Sequence, residues 1–340
     1  MSGGKDQPEI SGPSRSGYDP GKWYWETRRK VNYPAATVLF TVLRVADLPL
    51  QWWLLRSTVI PNTIARLGGT STPTLTLPTT LGFGGLSPYH TLVLALATGS
   101  SFKQIYWKLF INDTSMPLSF STVVCVYNTL LNTFNTALAF WSVTSQQPAG
   151  LVESSTVRGF LAAAPLSVPV GITLYAVGLF VEWYCEVQRK AFKAKPENKG
   201  KPYSDGLFGL ARNINYGGYT LWRTGYSLIC GGWPWAVLMA TWLAGDFCAR
   251  AIPSLDAYCE KRYGEQWDTL KKKVPIFDQI VEPQEDPNAS DFLNDARMIG
   301  VTNVELQSVC TAVLPGGEFY NTHEGNHFGN YDTRGESKAG

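Results

Sequence analysis

YGGYTLWRTGYSLICGGWPWAVLMATWLAGDFCARA, residues 216–251, is the stretch that decides the fold. It is apolar, and it is too long for one crossing, since about 20 helical residues rising about 1.5 Å each span a hydrocarbon core of roughly 30 Å. Gly231, Gly232 and Pro234 interrupt it near the middle, so it predicts two membrane helices joined as a hairpin. Upstream, residues 37–55, 89–111, 118–143 and 166–185 have the same apolar character. The first of these ends in Trp52 and Trp53, a pair suited to the aromatic belt at the headgroups. The expectation is an all-α, polytopic membrane protein of six spans, or five if the final pair forms one kinked or re-entrant unit.

Composition and charge agree. Of 340 residues, 44% are hydrophobic and only 16% charged, against about 25% charged in average soluble domains. The mean hydropathy of −0.08 averages this apolar body, residues 33–280, with a polar N-terminal segment, 1–32, and a polar tail, 281–340, in which no periodicity persists and disorder is expected. Lysine and arginine collect before the first span (Lys22, Arg28, Arg29, Lys30), after the fourth (Arg189 to Lys201) and after the sixth (Lys261 to Lys273). Six spans put all three on one side, which the positive-inside rule makes cytoplasmic, together with both termini. The Asn112–Asp113–Thr114 acceptor sequence then falls in a cytoplasmic turn and is expected to stay unmodified. The opening MSGGKDQPEI has no short apolar stretch followed by a small-residue cleavage site, so no cleaved signal peptide is expected there.

Several chemistries are excluded. A net charge of +2 without a basic, aromatic-interleaved stripe argues against nucleic-acid binding. The six cysteines have no CxxC spacing, and the three histidines (His90, His323, His327) form no cluster for a catalytic metal. GxSxG, HExxH, Walker A and GxGxxG are all missing. What remains is ionisable groups at membrane depth, each costly and so a candidate for function. Arg44 with Asp47, at i,i+3, and Asp246 with Arg250, at i,i+4, have the spacing of structural ion pairs. Glu182, near the end of the fourth span, is balanced between an interfacial residue and a functional one. The run Gln188 to Lys195 reads as a basic flank or as a clamp for the phosphates of a nucleotide cofactor.

Two ordered signatures add to this. Glu182-x3-Glu186-x-Gln188-x3-Phe192-Lys193 leads to GLFGLARNINYGGYTLW at 206–222, in which Gly206, Arg212, Asn215, Tyr216 and Gly218 keep the pattern G-[LF]-W-x3-R-H-x-N-Y-x-G. About 40 residues on stand Cys259, Tyr263, Gly264, Trp267 and Val274–Pro275–Ile276. Over residues 180–280 the chain resembles the membrane superfamily of steroid 5-alpha and sterol C-14 and delta-7 reductases, with isoprenylcysteine carboxyl methyltransferases as more distant members.

The resemblance implies a pocket for NADPH at the membrane face. Arg189 and Lys193 would meet phosphate, Tyr203 and Phe208 would pack on the nucleotide, Asn215 and Tyr216 would hydrogen-bond it, and Arg212, Cys259 and Tyr263 would complete the wall. It implies reduction of a carbon–carbon double bond in a steroid, sterol or other hydrophobic lipid entering from an internal membrane such as the endoplasmic reticulum, with Glu182 or Tyr216 as proton donor. The chain departs from the pattern at Asn213, where histidine is usual, and at Phe208, Ile214, Tyr219 and Leu270. Two alternatives stand beside this reading: an S-adenosylmethionine-dependent membrane methyltransferase, and a non-catalytic lipid-binding protein.

Overall fold

The structure is a computed structural model that describes residues 13–15, 17–21, 24–25, 28, 31, 33–72, 83–148 and 157–274. The tail expected at 281–340 lies outside them. Among the described residues the secondary structure is helical, apart from an isolated bridge between Ser71 and Trp141. The long elements are α1 (Pro34–Arg56), α3 (Pro88–Tyr106), α4 (Leu118–Phe140), α6 (Ser167–Ala194) and α7 (Ile214–Asp246). The short ones are α2 (Val59–Arg66), α5 (Val157–Ala163), α8 (Ile252–Tyr263) and α9 (Glu265–Lys273). The segments Pro34–Arg56, Leu118–Phe140, Ser167–Ala194 and Ile214–Tyr263 are long and apolar enough to cross a membrane. The chain is an all-α membrane protein.

The expected hairpin forms within α7. Gly232 adopts φ 71°, ψ −171°, a left-handed conformation open to glycine at little cost, and Pro234 follows with no amide hydrogen to restore the helix. On an unbroken helix Tyr216 and Phe247 would stand roughly 45 Å apart; instead their rings stack at 4.6 Å and 7°. The arm after Gly232 therefore runs back along the arm before it.

Two constant offsets define the rest of the bundle. Phe40 with Cys125, Arg44 with Thr129, Asp47 with Asn132 and Gln51 with Thr136 are each hydrogen-bonded partners 85 positions apart, so α1 and α4 run parallel. Leu96 with Tyr175 and Lys103 with Glu182 are each 79 apart, so α3 and α6 do too. Against α6 the first arm of α7 runs antiparallel, with Gly178 on Gly218 and Gly171 on Gly225. Glycines seven residues apart on both helices let the backbones approach closely, the small-residue packing typical of helices in lipid. These directions bring the segment before Pro34, the turn at 112–117, the segment 195–213 and the helices after Asp246 to one end of the bundle.

The anticipated fourth span is longer than read from hydropathy. α6 continues to Ala194, so Arg189 and Lys193 sit on the helix itself. Charge ends an apolar stretch, but it does not end a helix; Pro196 does, by disfavouring helical geometry at the residue before it.

A buried polar layer crosses the middle of the bundle. The Arg44–Asp47 pair forms as expected, at 3.1 Å and fully buried. Asn132 donates to Asp47 at 2.7 Å, and Ser101 accepts from Arg44 at 2.6 Å. Arg223, 1% exposed, donates to the side-chain oxygens of Asn128 and Asn132 and lies 4.3 Å over the Trp222 ring. The Asp246–Arg250 pair also forms, at 2.7 Å, but at an exposed position.

Candidate cofactor site at one end of the bundle

The last turns of α6 present Glu182, Glu186, Arg189 and Lys193 along one face, at helical spacings of three to four residues. Glu186 is 5% exposed and is the hub of the site. One carboxylate oxygen accepts from Asn215 at 3.2 Å, and the other pairs with Arg189. The Arg189 guanidinium also lies 5.9 Å over the ring of Phe208.

The segment 195–213 wraps against this face. Gly206, at φ 58°, leaves room for Gln188, whose Oε1 accepts from the Leu207 amide at 3.1 Å. That turn sets Phe208 against Tyr203 at 5.7 Å, and Tyr203 against Phe192 at 4.9 Å. Burial, helped by Asp205, pushes the Tyr203 hydroxyl up from its ordinary pKa. Arg212 and Asn213 are buried at the start of α7.

The hairpin and α8 close the other side. The Tyr216 ring stacks on Phe247, Tyr219 meets Phe247 at 5.7 Å, and Tyr216 lies within electrostatic reach of Arg189, Glu186 and Cys259. Lys193 Nζ donates to the Tyr263 hydroxyl at 2.9 Å and lies 4.8 Å from the centre of its ring. Cys259 is buried in an apolar cluster with Trp267, Leu270 and Val274, so Leu270, where the motif has tyrosine, serves packing here. Lys271 braces α8 against α9. Burial pulls its pKa down, but hydrogen bonds to Glu260 at 2.7 Å and Asp256 at 3.5 Å outweigh that and leave it raised.

Arg189, Lys193, Tyr203, Phe208, Asn215, Tyr216, Cys259 and Tyr263 thus converge on one end of the bundle. Glu182 stands one turn deeper. Its two oxygens are engaged by Lys103 of α3 and by the Trp222 indole N–H at 2.7 Å. Glu186 stands in the motif but is given no role by the sequence reading, although its i,i+3 relation to Arg189 was visible. Tyr24 and Arg28 were also missed: the Arg28 guanidinium lies 5.4 Å over the ring of Tyr258 and within electrostatic reach of Tyr216. Nothing local in the N-terminal segment signals a contact so distant along the chain.

Residues 120–274 match a family described as a protein of unknown function, DUF1295. The chain is also 35% identical over 247 residues to the probable O-methyltransferase ustE of Ustilaginoidea virens, an alignment covering 71% of this chain and 84% of that protein. The chain belongs to the ustE family. The DUF1295 match takes in α6 to α9, and so every site residue except those of the N-terminal segment. In this member of the ustE family, Tyr24 and Arg28 are therefore contributed from outside the matched region.

Proposed function

We propose that the chain is a membrane-bound methyltransferase that uses S-adenosylmethionine and modifies an oxygen of a hydrophobic acceptor. The observation that carries this reading is the kinship with a probable O-methyltransferase over 84% of that protein's length. It displaces the NADPH-dependent reductase expected from the motif resemblance and takes up the alternative weighed beside it.

The chemistry of the donor set fits this cofactor. A sulfonium nucleoside with an amino-acid end carries cationic, anionic and hydroxyl groups at once, and asks for carboxylates as well as cations around it. Glu186 supplies a buried carboxylate in the middle of the basic face. The same pairing weakens the case for a phosphate clamp, because Arg189 is turned to Glu186, and Lys193 to the Tyr263 hydroxyl. Tyr203 and Phe208 offer ring faces to an adenine, and Asn215 and Glu186 offer hydrogen-bonding groups. When bound, the cofactor would supply an electrophilic methyl group: the acceptor oxygen forms the O–CH3 bond as the C–S bond breaks, leaving a neutral thioether.

Among this chain's own residues, the Glu186 carboxylate, between Arg189 and Asn215, is positioned to take the acceptor's proton, and Tyr216, within electrostatic reach of both Arg189 and Glu186, to orient the acceptor oxygen. Glu182 has the role of a tie between helices. A groove of about 420 Å³ between α3 and α6, lined by Phe102, Tyr106, Leu179, Phe180 and Trp183 beside Lys103, gives an apolar acceptor a lateral approach.

Titration calorimetry on detergent-purified protein tests the reading. S-adenosylhomocysteine, the demethylated product, is expected to bind, and NADPH is not. NADPH binding with no binding of the nucleoside thioether returns the reductase; binding of neither leaves a lipid-binding scaffold.

A further inference from the structure

Arg15, Tyr18, Tyr24 and Trp25, described residues of the N-terminal segment, form a strap against α8 and α9. The Arg15 amide donates to Glu260 at 3.2 Å, and its guanidinium pairs with Asp268 at 2.7 Å. Tyr18 and Ser254 share a hydrogen bond of 3.3 Å, and Trp25 packs on Tyr258 at 6.4 Å with the Lys261 ammonium 4.9 Å from its ring centre. Tyr24 and Trp25 are buried together with Ala257. Beyond these contacts Arg28 stands over the ring of Tyr258 and within electrostatic reach of Tyr216.

The surroundings of Arg28 differ from those of Arg189. Arg189 is neutralised by Glu186. Arg28 donates to the Tyr24 hydroxyl at 2.6 Å and stands over the rings of Tyr24, at 4.7 Å, and Tyr258, at 5.4 Å. Among the described residues no carboxylate pairs with it. It acts electrostatically on Tyr216 and Cys259, the residues that line the wall between α7 and α8. A cation held by phenol rings, and by no carboxylate among the described residues, is suited to an anion that arrives from outside, and a guanidinium matches a carboxylate in a two-pronged geometry.

Resting on the methyltransferase reading, we infer that Arg28 is a cofactor-binding residue that takes the carboxylate of the amino-acid end of S-adenosylmethionine. The strap is then part of the binding site, supplied by a region outside the DUF1295 match.

The test compares two nucleosides by titration calorimetry on the full chain in detergent: S-adenosylhomocysteine, which has the amino-acid end, and 5′-methylthioadenosine, which lacks it. Losing one charge-assisted contact is expected to weaken S-adenosylhomocysteine roughly 10- to 100-fold in Arg28→Ala, with 5′-methylthioadenosine unchanged. Arg28→Lys, which keeps the charge and loses the fork, is expected in between. Equal weakening of both nucleosides, or of neither, overturns the inference and makes Arg28 a residue of the strap alone. Failure of the wild type to bind S-adenosylhomocysteine strikes the methyltransferase reading itself, so the two failures are distinguishable.

Discussion

Gly178 and Gly218 face each other across α6 and α7 so closely that a Cβ on Gly178 would stand 2.7 Å from the Gly218 carbonyl oxygen. Backbone cannot step aside as the end of a flexible side chain can. Gly178→Ala is therefore expected to cost about 1–3 kcal/mol, the usual range for overpacking, and Gly225→Ala, whose Cβ would meet the Gly171 carbonyl at 2.5 Å, a similar amount. Thermal unfolding in detergent should give a lowered Tm for both; unchanged values would mean that the helices are not packed on these glycines.

Glu182 and Lys103 form a pair with side chains only 12% exposed. Breaking a buried pair costs about 3–5 kcal/mol, because the survivor keeps an uncompensated charge, whereas replacing both partners with apolar groups is often neutral. At this partial exposure roughly 2 kcal/mol is expected for Glu182→Gln. The double variant Lys103→Met/Glu182→Gln, which removes both charges and keeps an acceptor for the Trp222 indole N–H, should recover most of it. A double variant that is stable but catalytically dead would restore Glu182 to the reaction.

Glu186 joins Arg189 to Asn215, so these residues should act as one unit. Glu186→Gln and Arg189→Ala are each expected to weaken S-adenosylhomocysteine about tenfold, and the double variant little more than either alone. A coupling of about 1 kcal/mol between contacting groups is ordinary. Calorimetry on the four proteins of the cycle measures it, and full additivity would dissolve the hub.

These expectations also mark what was legible in the sequence. Four membrane-length apolar segments were, because lipid demands long apolar runs, though the stretch expected to cross at 89–111 is not one of them; the hairpin was, because Gly231, Gly232 and Pro234 interrupt the last. The partnership of Arg44 with Asp47 was, because three residues on a helix make neighbours. The end of α6 was not: Arg189 and Lys193 end the hydropathy signal while the helix continues to Ala194. Nor was the polar layer, since Asn128 and Asn132 look like stray amides in an apolar run until Arg223 arrives from a helix about 90 positions away. The place of Arg28 depends on Tyr258, farther still.

Lys271 makes stability sensitive to alkali. Its folded pKa is raised above the ordinary 10.5, so its contribution is complete below that value and is lost as pH rises through the folded pKa. The fall in Tm on alkaline titration should be shallower in Lys271→Met than in the wild type. Identical profiles would show that α8 and α9 do not depend on this bridge.

The reversal at Gly232 also fixes an order of assembly. No chain that ends before residue 247 contains the two rings whose stacking joins the arms. A ribosome stalled anywhere before residue 247 therefore carries a bundle with a doorway but no room behind it, and whatever the pocket binds can first help the protein fold only when nearly all of its membrane portion has been made.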